Sequence, residues 1–214
     1  MRVYHFIEEQ WGLESLRRRR LKLALLDDMN DPFELLGAEF RDTGDQAKYA
    51  RLKADMHLTI GVLCFSRKWH NPILWSHYAD KHRGLCLGFE IPDKWAIEVS
   101  YRLTRLKPEP ENYQPRNDKD TFGYKLLTTK FRHWMYEDEV RLEVRLKDAE
   151  SEGQKYFLRY CDALKLREVI IGPRSSLVAG QLLDSLQPEE VGASVCHAGL
   201  ARRSYRVVRD RRGK

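Results

Sequence analysis

The chain has 214 residues, 42% of them apolar and 33% charged, with a formal net charge of +6 at pH 7. That length is enough for one large domain with a substantial core. Apolar runs such as Leu23 to Leu26 are far too short to span a bilayer, and Glu8 and Glu9 interrupt the start of the chain, so neither a membrane span nor a signal peptide is expected.

In chain order, Arg2 to Ile7 reads as a strand, Glu8 to Arg20 as a helix and Leu21 to Leu26 as a second apolar strand. Asn30-Asp-Pro-Phe-Glu34 has the form of a helix start. Asp31 would cap it, Pro32 would take the first position and Glu34 the third, as in a capping box. Asp45 to His57 is helical in composition, and Leu58 to Ser66 is a strand ending in a hydroxyl. Asn71 and Pro72 then open a three-turn helix to Arg83, with Gly84 as its left-handed exit. Steps of 100° place Leu74, Trp75, Tyr78, Ala79 and His82 on its inward arc. Leu85 to Phe89 follows as a strand buried on both faces.

Ala96 to Leu103 is a further strand, Pro108 to Asn117 a surface loop and Thr121 to Lys130 a helix. From Tyr136 to Leu146, Val140, Leu142, Val144 and Leu146 alternate with Glu137, Glu139, Arg141, Glu143 and Arg145, the period of a half-buried strand. Tyr156 to Tyr160 and Arg167 to Ile171 are strands, and Leu177 to Leu186 is a helix. Gly192 to His197 and Ser204 to Val208 close the sheet. The expectation is a single α+β domain over residues 1–208. Its central sheet is mixed, mostly antiparallel and flanked by helices, and residues 209–214 form a basic tail.

The net charge is local. Residues 202–214 hold seven basic side chains (Arg202, Arg203, Arg206, Arg209, Arg211, Arg212, Lys214) against Asp210 alone. The body is near neutral apart from a cluster at Arg17 to Arg20. Both basic segments are candidate contacts for nucleic acid, or simply solvated surface. The cysteines at 64, 86, 161 and 196 form no CxxC, which points to reduced thiols and a cytoplasmic protein.

Few constellations carry chemistry. His70, His77, His82 and Cys86 lack the spacing of a zinc site, and no metal is expected there. Phosphate loops, dinucleotide glycine fingerprints and nucleophile elbows are absent. What remains is Glu137 with Glu139. Two apart on a strand, they would project from one face about 7 Å apart, close enough to repel unless one is protonated or paired with Arg141. A solvent-facing ladder of Glu and Arg is the plainer alternative. Trp134 and Tyr136 just before the pair have no place in such a ladder.

Several motifs together carry a resemblance: Asn30-Asp-Pro-Phe-Glu34, Cys64-Phe-Ser66, Leu74-Trp-Ser-His-Tyr-Ala79, His82-Arg-Gly-Leu-Cys-Leu-Gly-Phe89, Lys130 with Trp134-Met-Tyr-Glu-Asp-Glu-Val-Arg141, and Ile170-Ile-Gly172. In this order, from Tyr4 to about Val208, the chain resembles the bacterial family called domain of unknown function 2971. That name implies no activity. The motif order is more distantly similar to ADP-ribosyltransferases, which carry a His or Arg on an early strand, a Ser or Tyr on a middle one and Glu-x-Glu on a late one.

This second resemblance implies a split central sheet and NAD as substrate. Glu139 and Glu137 would be the catalytic pair, Glu139 facing the ribosyl cation and Glu137 activating the acceptor. Tyr4, His5, Ser66, Trp75, Tyr78 and His82 would bind the dinucleotide. It also implies transfer of ADP-ribose to a macromolecule, such as nucleic acid, in a bacterial toxin or phage-defence role. Two other functions stay open: a non-enzymatic nucleic-acid-binding module, and a nuclease holding magnesium on Glu137, Glu139 and Asp80.

Overall fold

A computed structural model describes residues 1–107, 116, 121–183, 186 and 193–210. Its centre is an eight-stranded sheet in the order β13-β12-β11-β4-β1-β3-β8-β5. The strands are β1 (Arg2–Ile7), β3 (Ile60–Ser66), β4 (Leu85–Glu90), β5 (Ile97–Glu98), β8 (Glu139–Arg145), β11 (Lys165–Ile171), β12 (Ser194–Leu200) and β13 (Val207–Arg209). All neighbours are antiparallel except β11 and β12. The fold is thus α+β, with a mostly antiparallel sheet in one compact domain. A small sheet β2-β10-β9 (Arg20–Lys22, Lys155–Arg159, Glu150–Glu152) and a parallel ribbon of β6 (Ser100–Arg102) and β7 (Thr129–Phe131) complete the strands.

The alternation of side chains along a strand explains why both faces of the sheet are covered. On β4, Leu85, Leu87 and Phe89 enter one core with Val3, Leu16, Val140 and Val169. Cys86 enters the other, with Phe6, Trp69, Leu74, Trp75 and Ile170. As its unbroken apolar run implies, β4 is buried on both sides. A third cluster, around Leu26, Tyr49, Val62 and Leu126, lies under α2 (Thr43–Thr59) and α4 (Phe122–Leu127). Among the described residues no helix is long and apolar enough to cross a membrane.

One joint in the sheet is weak. β1 pairs with β4 along its whole length, and β3 pairs with β8 at seven positions. Between β1 and β3 the register holds only Tyr4 opposite Ser66. No further register pair joins the two strands, which nonetheless stay neighbours in one sheet.

Several sequence expectations are corrected. The helix opened by Pro72, α3, ends at Tyr78 rather than Arg83. The exit is not made by Gly84: Asp80, Lys81 and His82 take positive φ of 39°, 52° and 73°, each at a cost of about 1–2 kcal/mol for an L-residue. Gly84 is needed for closeness instead, since a Cβ there would stand 2.2 Å from the Ile7 carbonyl oxygen. Asp31 caps a turn, not a helix. Its carboxylate accepts from Phe33 N at 2.9 Å, and Leu35 then turns left-handed at φ 59°.

The segment 96–103 breaks into β5 and β6, which join different sheets. Thr121 to Lys130 is helical only to Leu127, and Lys130 belongs to β7. Residues 132–137 form a 3₁₀ helix, so Glu137 precedes β8. Arg209, assigned to a tail, closes β13. The loop expected at Pro108 to Asn117 lies, apart from Arg116, outside the described residues.

Candidate active site

A cavity of about 220 Å³ opens beside β1 and β3. Its walls come from β1 (Tyr4, His5, Phe6), β3 (Cys64, Phe65, Ser66), the turn at Asn30 and Glu34, α3 (Leu74, Tyr78), and Lys130, Glu137, Glu139 and Arg141. The missing ladder between β1 and β3 is made up by a side chain, with His5 Nδ1 2.9 Å from the Cys64 carbonyl oxygen. Burial lowers the His5 pKa, against a smaller opposite effect of that contact, so the imidazole is neutral near pH 7.

Below the cavity lies a buried charge network. Arg141, 0% exposed, forks onto two carboxylates. It reaches Glu34 through Nη1 and Nη2 at 2.6 and 3.0 Å, and Glu139 through Nε and Nη2 at 2.7 and 3.3 Å. Its Nη1 also donates to the Leu127 carbonyl at 2.7 Å. Lys130 Nζ links the two expected carboxylates, donating to Glu137 Oε2 at 2.6 Å and Glu139 Oε2 at 3.2 Å. The second oxygen of Glu137 accepts from the Tyr78 hydroxyl at 2.5 Å, and Asn30 Nδ2 donates to that hydroxyl at 2.6 Å. The Glu139 backbone N–H donates to Tyr101 Oη at 2.8 Å.

These contacts drive the two carboxyl groups apart in acidity. Burial alone would raise Glu139, but the charges of Arg141 and Lys130 and the hydrogen bonds from Arg141 overcome it and hold the carboxyl at about 2. For Glu137 burial wins. Lys130 and Tyr78 offset it only in part, the charge of Glu139 adds to it, and the pKa lies above its ordinary value. Burial opposes the charge on Lys130, yet Glu139 and Glu137 raise its pKa and keep it cationic. Three carboxyl groups (Glu34, Glu137, Glu139) thus share two cations: Glu139 meets both, Glu34 meets Arg141 alone, and Glu137 meets only the Lys130 ammonium that it shares with Glu139.

The solvent-facing ladder is overturned: Glu137 is 5% exposed and Glu139 4%. β8 is buried on both faces through Leu142 and becomes half-exposed only from Glu143 onward. The placement on one strand face is corrected too. Glu137 ends the 3₁₀ helix, Asp138 turns left-handed at φ 47°, and the shared Lys130 ammonium brings the two carboxyls together.

Of the expected ligand-binding residues, Tyr4, His5, Ser66 and Tyr78 line the cavity, whereas Trp75 and His82 do not. Trp75 is 0% exposed; its indole donates to the Trp69 carbonyl at 2.7 Å, and its ring meets Phe6 edge-on at 5.3 Å. It is a core residue. His82 sits in the left-handed segment beyond α3, where its carbonyl accepts from Arg174 N.

Asp80, expected in the nuclease set, is exposed and pairs with Arg83. Among the described residues no three His, Cys, Asp or Glu are grouped to hold a metal ion. The basic cluster at Arg17 to Arg20 is largely occupied: Arg20 is buried against Glu150 and Glu152, Arg18 pairs with Glu14 and Glu152, and Arg17 faces Glu14. In the second basic segment Arg209 pairs with the buried Glu168, whereas Arg202, Arg203 and Arg206 stay exposed beside Tyr205.

Sequence reasoning missed Glu34, Asn30 and Tyr101, and gave Lys130 no role. The only available signal for Glu34 was a buried arginine with more N–H groups than Glu139 can satisfy.

Compared with protein-family models, with curated proteins and with solved structures, the chain matches none.

Proposed function

We propose that the chain cleaves the bond between nicotinamide and ribose in NAD and passes ADP-ribose to a macromolecular acceptor. The observation that carries this is the buried carboxyl of Glu137, lining the cavity beside β1 and β3 and meeting only a lysine that it shares with Glu139. A reaction whose transition state gathers positive charge on a sugar is favoured at such a place.

As nicotinamide leaves, charge moves from the pyridinium ring to the ribose C1′. A carboxylate set against C1′ therefore binds the transition state better than the ground state. Glu137 is the residue for that role, since each of its oxygens has a further lone pair. Glu139 keeps its full negative charge but spends it on Lys130 and Arg141, so it positions the ammonium that orients Glu137. This reverses the roles that the resemblance to ADP-ribosyltransferases implies.

Tyr4, His5 and Ser66 supply polar groups for the ribose and carboxamide, and the Tyr78 ring supplies a face for nicotinamide. At about 220 Å³ the cavity is smaller than the roughly 300–1,000 Å³ of a typical ligand cleft. It takes the nicotinamide riboside half, and the ADP half lies outside. Calorimetric titration tests this reading: nicotinamide riboside binds the protein and Glu137→Gln weakens it. Heat from ADP-ribose alone, with none from the riboside, contradicts it. A toxin or defence role would follow from the acceptor.

A further inference from the structure

A second cavity, of about 270 Å³, lies on the other side of the β6–β7 ribbon. The ribbon is the wall between the two, and Lys130 lines both. Alternation along the paired strands explains the partition. Tyr101 and Lys130 are register partners and point inward, to the Glu139 backbone and to the carboxylates. Arg102 and Phe131, the next register pair, therefore project together from the outer face.

The outer groove differs from the inner cavity in charge. Its described lining includes Arg102, Arg105, Lys130, Phe33 and Phe131 and no acidic residue. Phe131 is 42% and Phe33 52% exposed, unusual for rings without a task. Arg105 is held in place, its guanidinium 5.2 Å from the Phe33 ring centre and 5.7 Å from that of Phe40. Arg102 makes no ion pair among the described residues. Exposed rings beside arginines that have no acidic partner among the described residues match the way single-stranded nucleic acid is held, bases stacked on aromatics and phosphates on cations.

We propose that this groove binds single-stranded nucleic acid, one base stacking on Phe131 and the adjoining phosphate on Arg102 and Arg105. It is a surface apart from the exposed arginines at 202–206. A duplex is excluded by its paired and stacked bases, which hide the faces that Phe131 would meet. A nucleotide so held is one side chain, Lys130, away from Glu137. The inference deepens the NAD reading, on which its catalytic meaning rests, by naming the acceptor's class.

Fluorescence anisotropy with a labelled ten-nucleotide single strand and the full chain tests it. The wild type binds, more weakly as salt rises. Phe131→Ala and the pair Arg102→Ala, Arg105→Ala each weaken binding by about tenfold or more, while Phe131→Trp, which keeps the ring, retains it. Circular dichroism and melting temperature stay at wild-type values, since the altered side chains are exposed. The proposal is overturned by absent binding, by equal binding of a duplex or an acidic peptide, by indifference to these substitutions, or by loss of binding only on replacing Arg202, Arg203 and Arg206 with Ala. Nicotinamide release without oligonucleotide separates the two ideas. If it continues while oligonucleotide binding is absent, the groove proposal alone falls.

Discussion

The Tyr78 hydroxyl donates to Glu137 across 59 positions of sequence, at 2.5 Å. That bond joins the end of α3 to the end of the 3₁₀ helix before β8, and both residues line the cavity beside β1 and β3. It favours the ionised form of Glu137, whose pKa burial holds above its ordinary value. Tyr78 is itself steered by Asn30, so a turn, a helix and a strand end meet on one carboxylate.

A pH dependence follows from the opposed shifts. Activity that needs ionised Glu137 has an acid limb above the ordinary carboxylate value of 4.5, because burial holds Glu137 above it. Tyr78→Phe removes a hydrogen bond to the charged form and moves the limb further up. A pH–rate profile of nicotinamide release reads both changes.

Stability responds to the same two groups with opposite signs. Glu139 lies below its unfolded value, so its contribution is complete above about 4.5 and is lost as pH falls toward 2. Glu137 lies above its unfolded value, so its contribution is present at low pH and is lost as pH rises through the folded value. Urea midpoints measured across pH 3 to 8 show both slopes in the wild type. In Glu137→Gln the loss on the rising side disappears.

Arg141 is the structural centre of the network. Arg141→Met leaves Glu34 buried without its cation and Glu139 with Lys130 alone, and costs about 3–5 kcal/mol, read as a fall in the denaturation midpoint. Arg141→Lys restores little, since the three N–H groups of an ammonium cannot replace the five hydrogen bonds that the planar guanidinium makes.

Trp75 separates core from ligand site. Trp75→Ala empties a fully buried position and costs about 3–5 kcal/mol. At temperatures where the variant stays folded, its affinity for nicotinamide riboside is unchanged, because Trp75 does not line the cavity.

The parts of the fold visible in the sequence are those set by local pattern. β4 was legible because a five-residue apolar run between Gly84 and Pro92 is too short for a buried helix and fits a strand covered twice, and α3 began where Asn71 and Pro72 said it would. Its end was not legible. Three consecutive left-handed residues contradict local preference, and packing of Gly84 against Ile7 and of Gly172 against His82 imposes them. Glu34 read as a capping residue because nothing local distinguishes that role from a salt bridge to Arg141, 107 residues away. The alternation of Glu and Arg along 137–145 imitates a surface ladder. Only long-range pairing with Glu34 and Lys130 turns it into a buried network. Glu137 and Glu139 were legible as a pair. Their division of labour was not, since it depends on which of them the cations reach.

The most direct measurement is the rate of nicotinamide release from NAD by the purified protein, compared with Glu137→Gln, with melting temperature followed alongside. Turnover is expected in the wild type, with a loss of about a hundredfold, or about 3 kcal/mol of barrier, in the variant and the fold intact. No release from the folded wild type, or equal release by both proteins, contradicts the NAD reading.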